Sequence, residues 1–130
     1  MSEIRANTIS DAAGTGPVTL TGQYAAKAWV NFDGTGTVSV TESGNISSLT
    51  DNGTGDYTIT FTQSMTDGNY STSGSVGNLL YSLPADSSVR VAMPYQPPFV
   101  SGSHRIMTRY VNATSSNMED EDVVSYMIFR

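Results

Sequence analysis

Asp56-Tyr57-Thr58-Ile59-Thr60-Phe61-Thr62-Gln63 alternates large apolar and polar side chains residue by residue. A two-residue period belongs to an extended strand with one face in a core and the other in water, so Tyr57, Ile59 and Phe61 are expected inward and the threonines outward. Just upstream, Asp51-Asn52-Gly53-Thr54-Gly55 is dense in residues that tolerate tight turns, and Asn45-Ile46-Ser47-Ser48-Leu49-Thr50 supplies a partner strand. The two strands and their turn read as a hairpin.

Working outward, residues 26–32 are largely apolar, Gly34-Thr35-Gly36 makes a turn, and Val38 and Val40 share one face of the next segment, which gives a second hairpin. Trp29, in an apolar strand, is expected in the core. On the carboxyl side, Met65-Thr66-Asp67-Gly68-Asn69 is a turn and residues 70–75 a polar strand. Leu79-Leu80-Tyr81-Ser82-Leu83 is a more apolar strand that stops at Pro84. Residues 88–93, 104–111 and 123–129 complete the strands, and Pro94-Tyr95-Gln96-Pro97-Pro98-Phe99-Val100 is too rich in proline for a central ladder and reads as an extended surface loop. The last strand has Val123 and Met127 on one face and Val124, Tyr126 and Ile128 on the other, so it is expected at the centre of a sheet or at a subunit interface.

Roughly eight to ten short strands divided by Gly, Asn, Asp and Pro clusters predict an all-β chain, an antiparallel β-sandwich or jelly-roll-like domain. Composition agrees: of 130 residues only 14% are charged and 38% are hydrophobic, the remainder being rich in Ser, Thr, Asn and Gly. The domain is assigned to residues 26–130. Residues 1–25 hold Ile4 and Ile9 as their only large apolar residues before Val18, too few for a core, and read as a separate amino-terminal segment, either a disordered leader or an arm that becomes ordered against another subunit.

A net charge of −6 with six scattered Lys and Arg residues argues against nucleic acid as a partner. The chain has no cysteine, which excludes disulfides and thiolate metal sites and fits folding in a reducing cytosol. The first residues show neither a secretory signal nor a membrane-spanning run, so no membrane insertion is expected.

Chemical motifs are sparse. Glu119-Asp120-Glu121-Asp122 offers oxygen ligands but lacks the glycine turn and further ligands of an EF-hand loop, so it reads as a solvated charge run that discourages edge pairing of strands. His104 is the single histidine, and no serine lies in a Gly-x-Ser-x-Gly elbow, which makes it a loop or strand-end histidine, with a Ser-His-Asp triad open only in principle. Arg105 and Arg109 share a strand face and are placed to meet the acidic run. No catalytic residue, metal site or cofactor is assigned. The aromatic residues Tyr81, Tyr95 and Phe99, in and near the proline-rich loop, are the candidates for contact with a partner surface. Asn45, Asn52, Asn69 and Asn112 match glycosylation sequons by chance of composition.

Lys27-Ala-Trp-Val-Asn-Phe-Asp-Gly-Thr-Gly-Thr-Val38, Asn45-Ile-Ser-Ser-Leu-Thr-Asp-Asn-Gly-Thr-Gly-Asp-Tyr-Thr-Ile-Thr-Phe61 and Met65-Thr-Asp-Gly-Asn-Tyr70 together resemble a module of fibre and spike proteins of tailed bacteriophages, particularly marine ones. Thr8-Ile9-Ser10-Asp11 and Gly14-Thr15-Gly16 resemble the short stretch by which such proteins are fixed to the particle. The resemblance covers just over half of the chain. It implies a homotrimeric virion protein, made in the host cytoplasm, anchored to other virion proteins through Ile4, Ile9 and Val18, and touching a host glycan or protein with its distal loops. In the family the module lies distally on a longer fibre, whereas here it follows the leader with no shaft between. A short tail fibre or spike is the leading expectation. A head fibre or capsid decoration protein is the alternative, and a polysaccharide depolymerase the third.

Overall fold

The structure is a computed structural model and describes residues 25–77, 89–95, 99–112 and 114–130. The expected arm with Ile4, Ile9 and Val18, the strand at 79–83 with Tyr81, and the three residues 96–98 of the proline-rich loop lie outside the described residues.

Two antiparallel sheets pack face to face as a β-sandwich, with no helix among the described residues. The first sheet has the order β2 (Ser39–Gly44), β1 (Ala26–Asp33), β9 (Val123–Phe129), β5 (Ser71–Gly77). The second runs β3 (Ile46–Gly53), β4 (Asp56–Phe61), β7 (Ser103–Val111), β6 (Val89–Pro94), and the short β8 (Ser116–Met118) continues the line of β4 along the far half of β7.

The alternation of β4 produces the expected faces: Tyr57, Ile59 and Phe61 are buried, while Thr58 and Thr60 are not. Its hairpin with β3 turns at Thr54 and Gly55. Gly55 has φ +65°, and a Cβ there would run into the backbone of Thr108 and Glu119, so this turn requires glycine. The β1–β2 hairpin also forms, with the Asp33 carboxylate accepting from the Thr35 amide at 2.8 Å and its hydroxyl at 2.7 Å.

The core between the sheets is built from Ala28, Val30 and Phe32 of β1, Tyr57, Ile59 and Phe61 of β4, Ile106 of β7, and Val124, Tyr126 and Ile128 of β9. Phe32 meets Tyr57 edge-on at 4.8 Å between ring centroids, which ties one sheet to the other. As expected for a two-sided strand, β9 is central, between β1 and β5.

Trp29 departs from its expected place in the core. With Ala28, Val30 and Phe32 inward, the two-residue period turns Trp29 outward, where it is half-buried and its indole rests over Gly44 of the neighbouring strand. A side chain at residue 44 would collide with that indole.

Candidate functional site

The chain crosses between sheets at both ends of the sandwich, and the two ends differ in chemistry. At one end, residues 119–122 carry it from β8 to β9, and the acidic run is not a solvated stretch. The Asp120 carboxylate accepts from the Gly55 amide and from the Tyr57 hydroxyl, both at 2.7 Å. The Gly34 amide donates to the Glu121 carbonyl at 2.9 Å, and Thr108 donates its hydroxyl to the Glu119 carbonyl. Glu121 itself is fully buried, with Oε1 2.9 Å from Arg90 Nε. Burial pushes its carboxyl up to about 6, against the pull of the Arg90 guanidinium.

Alternation along β6 places Arg90 on the same face as buried Ala92, which aims the guanidinium at Glu121 and, at 3.3 Å, at Glu119. The expected partners of the run, Arg105 and Arg109, do share the outer face of β7, but Arg105 pairs with Asp56 and Arg109 donates to the Ser116 carbonyl at 3.2 Å. The hydrogen bonds from Arg105 hold the Asp56 carboxyl below its ordinary range. Among the described residues, no cluster of His, Cys, Asp and Glu has the geometry to hold a metal ion.

Toward the opposite end, His104 lies in β7, buried between rings. Phe99 stacks on Tyr70 at 5.0 Å and meets His104 edge-on, while Tyr126 stacks on the other side of the imidazole at 5.3 Å. Tyr70 OH is 3.2 Å from His104 Nδ1, Tyr126 OH is 3.0 Å from Nε2, and Tyr126 OH donates to Thr72 Oγ1 at 3.0 Å. Tyr70 OH also reaches the Val100 carbonyl at 3.3 Å, so the donor at each ring nitrogen is set by the tautomer. Desolvation lowers the imidazole to about 4. Both ring nitrogens are therefore engaged by tyrosines, and among the described residues no serine or carboxylate is bonded to the ring.

Beside this layer the described residues form a cleft of about 660 Å³. Its wall is the corner at Asn45, where the chain passes from β2 in one sheet to β3 in the other in a single residue with φ 58°. The Asn45 side chain donates to the carbonyls of Lys27 and Gln63, each at 3.0 Å, and accepts from the Gln63 amide at 2.7 Å. Met65 is buried in the floor, and its amide is tied to the Ser101 carbonyl at 2.8 Å. Lys27, Gln63, Ser64, Thr66 and Arg130 also line it. Arg130 is itself fixed, donating to the Asn69 carbonyl at 2.6 Å and to the Asp67 carboxylate at 2.8 Å, and it also borders a second hollow of about 450 Å³ beside Phe129.

The residues singled out from the sequence are not gathered at this cleft. Phe99 is packed against Tyr70 and His104. Tyr95 carries the Arg105 guanidinium over its ring at 4.1 Å. Sequence reasoning missed Lys27, Asn45, Gln63 and Arg130, and only Asn45 had a visible signal, as an asparagine between two alternating segments.

A third surface is the outer face of the first sheet. Val123 and Met127 are 39% and 42% exposed in its central strand, with Trp29 beside Met127 across the ladder. On the other flank they face Gly77 and Ser73 of β5. No family model, characterised protein or solved structure matches the chain.

Proposed function

We infer that the chain is a structural and adhesive component of a tailed-bacteriophage virion, a short tail fibre or spike that assembles from copies of itself and attaches the particle to a host surface. The observation that carries this reading is the outer face of β9. Its inward residues Val124, Tyr126 and Ile128 already supply the core, yet Val123 and Met127 place further apolar surface outside, next to the half-buried Trp29. A central strand that is apolar on both faces is at home where the second face meets another subunit. That arrangement supports association between copies, and the sequence resemblance to fibre modules makes the assembly a homotrimer.

The test is position on the particle. An antibody against residues 26–130, applied to intact virions and viewed by electron microscopy, should decorate the tail. Label over the head would make the protein a capsid fibre or decoration protein, and unlabelled particles would end the virion reading.

A further inference from the structure

We propose that Asn52-Gly53, beside the turn of the β3–β4 hairpin, is a self-modification site. The Gly53 amide nitrogen closes on the Asn52 side chain and converts it, through a cyclic imide, to aspartate and isoaspartate, with the Asp51 carboxylate as the base.

The sequence offers this chemistry at one place. Elsewhere asparagine precedes Thr, Phe, Ile, Tyr, Leu, Ala or Met, and Asn52 alone precedes glycine. A side chain on the following residue crowds the attacking nitrogen and restricts the backbone that must turn toward the carboxamide, and glycine does neither. Gly53 has φ +131°, which side chains rarely adopt, and the space where a Cβ would stand is empty.

The fold leaves this peptide out of step with the ladder. Asp51 lies opposite Tyr57 and Gly53 opposite Asp56, so Asn52 is the extra residue of a bulge. Residues 51–54 are exposed, and water reaches them. The Gly53 amide donates to Asp51 Oδ1 at 2.8 Å, which sets a carboxylate on the proton that has to leave. Asn52 Nδ2 donates to Thr58 Oγ1 at 2.9 Å and to Asp56 Oδ1 at 3.3 Å, so the carboxamide is held in place on β4. Asn45, by contrast, precedes isoleucine and spends its side chain on the corner between the sheets.

The steps balance within the chain and water. The Gly53 amide proton passes to Asp51 as the nitrogen bonds to Asn52 Cγ. The Cγ–Nδ2 bond then breaks, the proton returns from Asp51 through solvent to that nitrogen, and ammonia leaves. One water opens the imide: at the side-chain carbonyl it gives aspartate, and at the backbone carbonyl it gives isoaspartate, whose main chain is one atom longer. The bulge absorbs that atom, because the pairing is already broken there. The new carboxylate stands beside Asp56, which Arg105 already engages, so the turn gains negative charge next to an existing ion pair.

The test is peptide mapping by mass spectrometry of the full chain held in warm, neutral buffer. Conversion of Asn52 to aspartate and isoaspartate should run ahead of every other asparagine and leave the circular dichroism of the chain unchanged. Asn52→Gln, whose longer side chain disfavours the five-membered ring, should stay unmodified. Asp51→Asn keeps an acceptor for the Gly53 amide but removes the base, and should slow conversion at least about tenfold, below the usual range for a general base. It should also steepen the rise of the rate with pH, because hydroxide alone then takes the proton; a merely structural role for Asp51 would leave that profile as it was. Asn52 left intact, or converted no faster than the other asparagines, would overturn the proposal, and an Asp51→Asn chain with the parent's rate and profile would overturn the part given to Asp51.

Discussion

Asn45 does at one residue what most sandwiches do with a loop. It adopts a left-handed backbone, for which asparagine pays less than most residues, and its amide side chain bonds both the strand it leaves behind and the crossing beyond. Replacing it with alanine removes those three hydrogen bonds and adds backbone strain, a loss of about 2–4 kcal/mol on the scale of such bonds and of a left-handed non-glycine residue. Asn45→Gly should recover the strain part only, and denaturant unfolding of the two variants separates the contributions. Tyr57 is a second such point. Its hydroxyl, raised well above the usual phenol range by burial and by Asp120, donates to that carboxylate at 2.7 Å. Tyr57→Phe should cost about 1.5–3 kcal/mol, the range for a hydrogen bond to a charged group, and should speed hydrogen exchange at the Gly34 and Gly55 amides that hold the same crossing. Unchanged exchange there would show that Asp120 is not organised by Tyr57.

At the scale of elements, the crossing 119–122 and strand β7 carry opposing pH dependences. His104 has its ionisation lowered to about 4 in the fold from an ordinary value near 6.5, so the neutral ring favours folding; that stability is present above about 6.5 and is lost as pH falls toward 4, on the order of 3 kcal/mol. Glu121 is raised to about 6 from 4.5, so its contribution is full below 4.5 and lost as pH rises through 6, on the order of 2 kcal/mol. Between about pH 4.5 and 6 the two slopes partly cancel. Glu121→Gln removes one of them, and its melting temperature should fall more steeply than that of the parent on acidification from pH 6.5 to 4; parallel curves would contradict the burial of Glu121. These elements also mark what was legible in the sequence. The hairpins and β4 follow from short-range alternation and turn residues, and they form as read. Strand β8, Ser-Asn-Met, has no alternation to read and exists because β7 is longer than β4. Glu121 reads as solvated because its burial depends on Arg90, a residue of another sheet strand distant in sequence. Trp29 was legible in retrospect, since the inward set Ala28, Val30 and Phe32 leaves it the outer face. The cleft has no motif because a corner, a crossing and the end of β9 meet there only in three dimensions.

Among the described residues the molecule is a sandwich with an acidic latch at one end and a cleft at the other, and with apolar side chains on the outside of its first sheet. The latch and the buried histidine layer bind the two sheets into one body, leaving those side chains and the cleft to face outward. Removing residues 1–23 should leave a domain with the circular dichroism and cooperative melting of the full chain that no longer joins particles; loss of folding would place the arm within the core instead. The outer face of β9 is proposed to form an interface between copies. Its most direct test is the mass in solution, by sedimentation or light scattering, of the full chain and of the double variant Val123→Lys, Met127→Lys. The parent should have three times the 13.8 kDa of one chain and the variant should be folded and monomeric; a parent that stays monomeric at high concentration, or a variant that remains trimeric, would contradict the interface.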